Sequence, residues 1–422
     1  MSLVGIEAMN VFAGSCYLDV GKLAEHRNLD TTRFENLLMK EKTVALPYED
    51  PITFAVNAAK PIIDGLTPEE KDRIEMVITC TESAFDFGKS CSTYVHSLLG
   101  LNRNCRLFEI KNACYSGVAG LQQAVNFVLS GVSPGAKVLV VATDLSRFMI
   151  EKGGNALTED WSFAEPSNGA GAVAMLVSDQ PHIFQVDVGA TGYYGYEVMD
   201  TCRPSPDTEA GDSDLSLLSY LDCFENSYKE YAKRVEGADF RTSFDYVAMH
   251  TPFGGMIKGA HRNLMRKVVK AKGKEIEEDF QTRLTPGLTY CQRVGNIMGA
   301  TAMMSVASTI DNGDFQTAKR IAAFSYGSGC CSEFFSGIVR EESQNRLRDM
   351  NIKGHLDGRH ELTMEEYDNL LVGSNAVKFG TRNVVLDTDF IPKARRAHAD
   401  RGKETLFLKQ INEFHREYEW VS

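Results

Sequence analysis

The sequence predicts an α/β fold in which a buried sheet carries helices on both faces. Near-continuous apolar strands alternate with helical stretches, which is typical of a sheet that is covered on both sides. The order strand–helix–strand–helix–strand–strand occurs twice, without a residue-level repeat, so the duplication is architectural. The 422 residues, 43% hydrophobic and 24% charged, give room for two or three units with full cores.

The first half supplies four apolar runs of strand length, separated by amphipathic stretches. The predicted strands are 73–82, 106–113, 136–146 and 171–179, with helices at about 89–100 and 115–130. The second half repeats the outline with different residues. Its predicted strands are 244–254, 320–329 and 333–339, with helices at about 255–270 and 296–310.

Two further segments depart from this pattern. The run DTCRPSPDTEAGDSDLS, rich in Pro, Asp and Ser, predicts a loop inside an insertion. The tail opens with a charged run, and Thr363 stands three residues before Glu366, as in a capping box. We therefore expect a first half with the nucleophile (1–180), an insertion and connection (181–240), a second half with a histidine (241–340) and a helical extension packed on the core (341–422).

Composition excludes several classes of function. A net charge of −12 argues against nonspecific nucleic-acid binding, which needs a basic surface. No apolar stretch is long enough to span a membrane, and the first residues do not resemble a secretory signal. The ten cysteines show neither a disulfide framework nor zinc-like spacing. These features predict a cytoplasmic protein with mostly buried thiols and no metal.

Cys114, in the motif NACYSG, is the first candidate for chemistry. It lies between the apolar strand RLFEI and the helical run SGVAGLQQAVNFVLSG. At such a junction the unpaired amides and the positive end of the helix dipole stabilise a thiolate. Gly117, Ala119 and Gly120 would let the helix pack closely against its neighbours. A small buried core cysteine would fit the same position, so position alone leaves both interpretations open.

Glu82 and His250 occupy comparable places, each at the end of an apolar strand. Strand ends in open α/β sheets face ligand crevices. Taken singly, Glu82 could cap the following helix and His250 could be a satisfied core residue. Three chemically competent side chains at three strand ends favour a shared site. Asn296 and Ser325 add polar groups at similar positions, beside a buried helix and at the end of RIAAFS.

An ordered set of motifs resembles the 3-hydroxy-3-methylglutaryl (HMG) synthases of the thiolase superfamily, from about residue 3 to 415. The motifs are TESAFD, NACYSG, EPSNGAGAVAML, HTPFGGMIK, VGNIMG and FSYGSG. Within that family the chain most resembles the HMG synthases of polyketide β-branching. The resemblance implies a thiolase-like, duplicated five-layer α/β/α/β/α fold and, by analogy, a homodimer.

The resemblance also implies roles for the candidates. Cys114 would carry the acyl group, Glu82 would act as acid and base, and His250 would hold the acceptor. The remaining predicted substrate contacts are Asn296, Ser325, Tyr326, Phe148 and Tyr220. The hypothesis is transfer of acetyl to Cys114, attack of its enolate on the β-ketone of a second thioester, and hydrolysis. No intrinsic cofactor is required, because phosphopantetheine carries both substrates.

The chain departs from members of the family that use coenzyme A. Phe148 stands where those members usually carry Tyr, and Gly255 where they often carry Lys. The absence of this lysine favours acyl carrier proteins, rather than coenzyme A, as carriers of the donor and acceptor acyl groups. A mevalonate-type synthase that uses coenzyme A remains the alternative, and an inactive scaffold that only binds acyl carriers is a further possibility. A decarboxylating ketosynthase fits less well, since those enzymes lack the glutamate.

Carrier proteins are acidic, so docking on this acidic chain needs a local basic patch. Lys258, Arg262 and Arg266 fall at i, i+4 and i+8 in the predicted helix that follows His250. Arg33 is a weaker candidate. A solvated helix face, or a site for the phosphates of coenzyme A, would show the same pattern.

Overall fold

A computed structural model of the chain describes residues 3–30, 34–146, 164–205, 208–373, 377–399 and 404–422. The strands are β1 Gly5–Phe12, β2 Cys16–Asp19, β3 Glu41–Val44, β4 Ile74–Cys80, β5 Arg106–Ile110, β6 Lys137–Leu145, β7 Ala170–Ser178, β8 Phe184–Gly195, β9 Thr201–Ser205, β10 Thr208–Gly211, β11 Tyr246–Met249, β12 Lys319–Gly327, β13 Cys331–Val339, β14 His360–Glu361, β15 Val384–Val385, β16 Thr405–Asn412 and β17 His415–Val421.

The helices are α1 Val20–His26, α2 Pro51–Asp64, α3 Pro68–Asp72, α4 Ser92–Leu98, α5 Ser116–Ser130, α6 Ala164–Ser167, α7 Ser213–Arg234, α8 Gly254–Leu264, α9 Gly273–Asp279, α10 Thr285–Val294, α11 Thr301–Asn312, α12 Glu341–Asp349, α13 Ile352–Asp357, α14 Met364–Gly373 and α15 Pro392–Ala399. A π-helical turn, Met265–Val269, continues α8, a second one, Phe280–Leu284, joins α9 to α10, and a 3₁₀ turn, Met298–Ala300, precedes α11.

Among the described residues, nine strands form one sheet in the order β11-β12-β13-β8-β1-β7-β6-β4-β5. The first half of the chain supplies β1, β7, β6, β4 and β5, and the second half supplies β11, β12 and β13. Strand β8 comes from the predicted insertion and extends the second half by pairing with β13. The halves meet where β1 pairs with β8, through Gly5 opposite Gln185 and Ile6 opposite Phe184. The duplicated frame is therefore joined edge to edge by a short antiparallel contact.

Alternation along the strands divides the molecule into five layers. In β4, Ile78 belongs to a central core that also holds residues of α5, α10 and α11, whereas Val77 packs with α2 and α4 on the outside. In β12, Ala323 faces the same central core and Phe324 packs with α7 and α8. The layers are thus outer helices, the part of the sheet that contains β4, the central helices, the part of the sheet that contains β12, and outer helices again. This order confirms the predicted α/β/α/β/α fold.

The second half differs from the predicted repeat. The described residues between β11 and β12 form helices and helical turns, so this half lacks a counterpart of β5. Its sequence there, AKGKEIEEDFQTRLTPGLTYCQRV, is charged and lacks the β-branched run that a buried strand needs. The predicted insertion also contains more structure than expected. It holds β8, the hairpin β9–β10 and the long helix α7.

The C-terminal segment packs on the first half. Asn57 of α2 accepts a hydrogen bond from the Leu406 amide (2.8 Å) and donates one to the Leu406 carbonyl (3.1 Å). The capping box is present, with Thr363 and Glu366 bonded reciprocally. The segment contains strands β14 to β17 as well as helices. The proposed division into four segments stays a prediction. Among the described residues, no helix is both long and apolar enough to cross a membrane.

Candidate active site

Cys114 lies in the turn between β5 and α5, half-buried, at the N-terminal end of a central helix. Ala113 beside it adopts the left-handed region with φ of 42°, where a side chain other than Gly is strained. The amides of Tyr115 and Ser116 bond to the carbonyls of Asn112 and Ala113, which closes the turn. No side chain of the described residues caps this helix end. Cys114 therefore immediately precedes the N-cap residue at the positive end of this helix dipole, a position that favours a thiolate.

Glycines set the distance between α5 and its neighbours. A Cβ on Gly117 would lie 2.1 Å from the carbonyl oxygen of Gly299, in the 3₁₀ turn of the second half. A Cβ on Gly120 would lie 2.5 Å from Sγ of Cys80, near the end of β4. Both contacts are too close for any side chain, so α5 is held against the two halves together.

Glu82 follows β4, and because β4 and β5 are parallel, it lies at the same edge of the sheet as the turn that contains Cys114. Its amide donates a 2.9 Å hydrogen bond to Oδ1 of Asp144, at the end of β6. The same oxygen accepts hydrogen bonds from Thr81 and from both the amide and the hydroxyl of Ser83. Oδ2 of Asp144 accepts a hydrogen bond from the Gly299 amide at 3.2 Å. One buried carboxylate therefore fixes the Glu82 loop and ties it to the turn that touches α5.

Burial and these hydrogen bonds have opposite effects on the pKa of Asp144. Loss of solvation raises its pKa to about 6, while the amide of Glu82, the Ser83 hydroxyl and the charge of Arg203 lower it. The Arg203 guanidinium also lies 3.8 Å from Oε1 of Glu82. The carboxyl groups of this region thus share one cation, which comes from the hairpin β9–β10.

His250 follows β11 and is 1% exposed. Its amide donates to the carbonyl of Phe324 (2.8 Å), and its carbonyl accepts from the hydroxyl of Tyr220 (2.6 Å). Burial lowers the pKa of the ring to about 3, so the imidazole is neutral at physiological pH. Among the described residues, Nδ1 has no hydrogen-bond partner. A buried polar atom without a partner is uncommon and marks a place where a ligand can supply one.

Ser325 is the neighbour of His250 on β12 and has the same property. It is fully buried, and its Oγ has no hydrogen-bond partner among the described residues. Alternation along β12 places Ser325 on the same face as Ala323, towards the central layer. Two residues on, a Cβ at Gly327 would lie 2.7 Å from the Tyr115 amide. The end of β12 therefore lies against the turn that holds Cys114.

The other predicted substrate contacts are placed differently. Oδ1 of Asn296 accepts from the amide of Met298 (3.0 Å) and from the hydroxyl of Thr301 (2.9 Å), so its oxygen is already engaged. Tyr220 and Tyr326 pack with the outer core around α7 and α8. The Tyr220 hydroxyl bonds to the His250 carbonyl, as described above. The Tyr326 hydroxyl donates to the buried Asp200 at 2.5 Å. Phe148 and Arg33 lie outside the described residues.

The predicted basic stripe is only partly a surface for a partner. Arg262 and Arg266 are exposed, whereas Lys258 is half-buried and pairs with Glu277 at 3.0 Å. Arg266 lies in the π-helical turn after α8. The regular α-helical spacing on which the predicted i, i+4, i+8 stripe depends therefore ends at Leu264.

Sequence reasoning missed three residues of this site. Asp144 ends the apolar run VLVVATD, the same signal that singled out Glu82. Asp200 and Arg203 fall in the segment interpreted as a loop, where no local pattern marks them. Their importance comes from long-range contacts with the β12–β13 turn and with Glu82.

Comparison with known proteins places this site in a family. Models of the hydroxymethylglutaryl-coenzyme A synthase N-terminal and C-terminal regions match residues 2–181 and 258–420. Over its full length the chain is 66% identical to the polyketide biosynthesis 3-hydroxy-3-methylglutaryl-ACP synthase PksG of Bacillus subtilis (strain 168), covering 100% of both chains.

Two further relatives extend the comparison. A crystal structure of the curacin biosynthetic pathway HMG synthase in complex with acetyl donor-ACP matches with a TM-score of 0.95 and 63% identity, covering 99% of this chain and 100% of that one. The hydroxymethylglutaryl-CoA synthase of Enterococcus faecalis is 36% identical over 368 residues, 86% of this chain and 90% of the relative. The predicted resemblance is confirmed, and the chain belongs to the hydroxymethylglutaryl-coenzyme A synthase family.

Proposed function

We propose that this chain is the HMG synthase of a polyketide β-branching pathway. It condenses acetyl, delivered by one acyl carrier protein, with the β-ketone of an acyl group on another, and releases a 3-hydroxy-3-methylglutaryl-type product by hydrolysis. The observation that carries this proposal is full-length identity of 66% to an HMG-ACP synthase, against 36% to a synthase named for coenzyme A. The alternative, a mevalonate-type synthase with both substrates on coenzyme A, has no comparable support.

The first step uses Cys114. Its thiolate attacks the acetyl thioester and expels the phosphopantetheine thiol, which leaves acetyl-S-Cys114. The helix dipole of α5 stabilises the thiolate, and the strained turn at Ala113 holds the sulfur at the helix end. No metal or redox group enters this step, because one thioester is exchanged for another.

The second step uses Glu82. Its carboxylate removes a proton from the methyl group of acetyl-S-Cys114 and so forms an enolate. The Glu82 side chain is 16% exposed, which keeps bulk water away from the reacting carbon. Asp144 fixes the backbone of this loop, so the carboxylate is aimed before substrate arrives.

The third step uses His250 as a neutral hydrogen-bond donor. A ring with a pKa of about 3 holds no extra proton to give away, so it polarises the acceptor ketone without protonating it. The enolate carbon attacks, and Glu82 returns the methyl proton to the new alkoxide. Ser325 and the amide nitrogen of Asn296 orient the acceptor thioester. Tyr220 and Tyr326 support the strand ends from behind, since their hydroxyls bond to His250 and Asp200. Water then hydrolyses the thioester at Cys114.

Carrier docking is proposed at the exposed end of α8. This helix begins four residues after His250, and Arg262 on it and Arg266 in the π-helical turn that follows it are exposed cations. At its start, a Cβ on Gly255 would lie 2.0 Å from the Asn36 carbonyl oxygen. The lysine that members using coenzyme A often carry here would displace this loop. The packing therefore supports a carrier protein over the nucleotide phosphates of coenzyme A.

A homodimer and a cytoplasmic location complete the proposal. Among the described residues, strand β5 is one of the two edge strands of the nine-stranded sheet, with β11 at the other edge, and it leads directly to Cys114. An unpaired edge of this kind is a template for pairing with a second copy. Light scattering on the purified chain tests this, and a monomer at micromolar concentration would contradict it.

The central experiment compares acetyl-carrier protein with acetyl-coenzyme A as sole donor. We expect a mass increase of one acetyl group from the carrier-bound donor, absent in Cys114→Ala. Glu82→Gln should acetylate but not condense. Acetylation of Cys114→Ala, or a preference for acetyl-coenzyme A, would overturn the proposal.

Docking is tested separately by charge reversal. Arg266→Glu should weaken condensation with the carrier-bound donor far more than with acetyl-coenzyme A. Lys274→Glu is the matched control, since that side chain is 89% exposed on the neighbouring helix α9. Equal losses with both donors would argue against docking at Arg266.

A further inference from the structure

The hairpin β9–β10 is fixed to the active site by Asp200, which is fully buried. Its Oδ2 accepts from the Tyr326 hydroxyl and its Oδ1 from the Gly329 amide at 2.8 Å, on the turn between β12 and β13. Its carbonyl accepts from Asp212 (2.8 Å), and a Cβ at Gly211 would lie 2.2 Å from that oxygen. Both ends of the hairpin are therefore held at the turn that also touches the nucleophile loop.

This anchor places Arg203 between two carboxyl groups. The guanidinium lies 3.8 Å from Oε1 of Glu82, and its charge also acts on Asp144. The side chains of Arg203 and Glu82 are 22% and 16% exposed, so solvent screens the pair only partly. A fully exposed ion pair contributes little to stability, whereas the carboxylate of this pair is mostly buried and belongs to Glu82, the proposed catalytic base.

We propose that Arg203 is a positioning residue that holds Glu82 ionised and oriented for proton abstraction from acetyl-S-Cys114. The inference rests on the proposed function of Glu82 and adds to it the residue that sets its charge state. Without the cation, no positive charge from β9 would offset the partial burial of the Glu82 carboxylate or the charge of Asp144, whose carboxylate binds the Glu82 amide, and both effects favour a protonated Glu82. A protonated Glu82 cannot accept the methyl proton, so condensation would stop while acetyl transfer to Cys114 continued.

The groups that determine this titration come from three elements. Arg203 extends from β9, Asp144 from β6, and Cys80 lies on the strand that precedes Glu82. Asp144 and Glu82 carry charge of the same sign when both are ionised. Within the described residues Arg203 is the cation of this set, and its removal would favour the protonated form of both carboxyl groups.

The test uses Arg203→Met and Arg203→Gln in the full-length chain with acetyl-carrier protein as donor. Acetylation of Cys114, followed by intact mass, should stay within about twofold of the wild-type rate. The acid limb of the pH profile for condensation should move about 1–3 units to higher pH. Arg203→Lys should restore most of the profile, since it returns the charge. Arg241→Met is the matched control, because Arg241 also lies 3.8 Å from a carboxylate, Glu275, but on the surface.

The outcomes separate the two proposals. A wild-type chain that never acetylates Cys114 would overturn the proposed function. Normal acetylation with an unshifted pH profile in both Arg203 variants would overturn the role of Arg203 alone, whether or not the condensation rate fell. A shift of the same size in Arg241→Met would also overturn it.

Discussion

Acidification provides a direct test of the buried, neutral state of His250. The unfolded chain carries an ordinary histidine with a pKa near 6.5, whereas burial lowers the pKa of the folded ring to about 3. Above pH 6.5 the ring is neutral in both states and contributes no pH dependence. As pH falls, only the unfolded state binds the proton. The folded state therefore loses stability from pH 6.5 down to about 3.

The magnitude follows from linkage. Each pH unit between the two pKa values changes the free energy of unfolding by about 1.4 kcal/mol, so acidification from pH 7 to 5 should lower it by about 2 kcal/mol through His250 alone. Other groups act in the opposite direction. Burial raises the pKa of Glu49 to about 7 and that of Asp144 to about 6, so these carboxyls favour the folded state as pH falls. The His250 contribution must therefore be isolated by mutation.

The assay is urea unfolding of wild type and His250→Asn at pH 7 and pH 5. The cavity left by the substitution costs the same at both pH values, so it cancels in the double difference. We expect the difference in free energy of unfolding between wild type and variant to change by about 2 kcal/mol from pH 7 to pH 5, in favour of the variant. His415→Asn is the control, because His415 is exposed. A gap that stays constant to within about 0.5 kcal/mol would refute the neutral, buried ring.

Two other predictions concern packing and an unpaired hydroxyl. Gly117→Ala should lower the free energy of unfolding by about 1–3 kcal/mol, because its Cβ would overlap the Gly299 carbonyl. Gly259→Ala is the control and should leave the free energy of unfolding unchanged, because Gly259 has open space around it. Equal melting temperatures for the two variants would contradict the close contact. Ser325→Ala should raise the free energy of unfolding by about 1 kcal/mol while slowing condensation, since it removes a buried hydroxyl without a partner among the described residues. Ser305→Ala is the control and should lower the free energy of unfolding, because the Ser305 hydroxyl accepts a hydrogen bond from the Met249 amide. A destabilised Ser325→Ala would contradict the reasoning.

Most of what the sequence could predict about the candidate site came from residues at the ends of apolar strands. Apolar runs fix which segments are buried strands, and alternation is not needed when both faces are covered. A carboxylate or imidazole that ends such a run must lie at the sheet edge, because the strand direction leaves no other place. Glu82 and His250 were found in this way, and the same rule applied to VLVVATD would have found Asp144. The sheet order and the fusion of the two halves through β1 and β8 depend on pairings distant in sequence.

Other features had no local signal. Arg203 matters because the hairpin β9–β10 folds back over the end of β4, and nothing in the run DTCRPSPD encodes that approach. The stripe of Lys258, Arg262 and Arg266 was predicted from ideal α-helical geometry. The chain instead forms a π-helical turn after Leu264, which contains Arg266, and Glu277 pairs with Lys258. Periodicity describes a helix only as long as tertiary contacts leave it regular.

The geometry of the site depends on helix packing more than on the sheet. In the part of the chain that the structure describes, two residue pairs join β1 to β8, so this strand contact between the halves is short. The contact of Gly117 with Gly299 closes the central layer instead, and Asp144 extends it, since one carboxylate binds the Glu82 loop of the first half and the Gly299 amide of the second. Any change in the angle between the halves must therefore move Gly299 relative to both Cys114 and Glu82. A small displacement there would separate Glu82, the proposed base, from the acyl group proposed on Cys114 before it exposed the core, so activity should be lost ahead of stability.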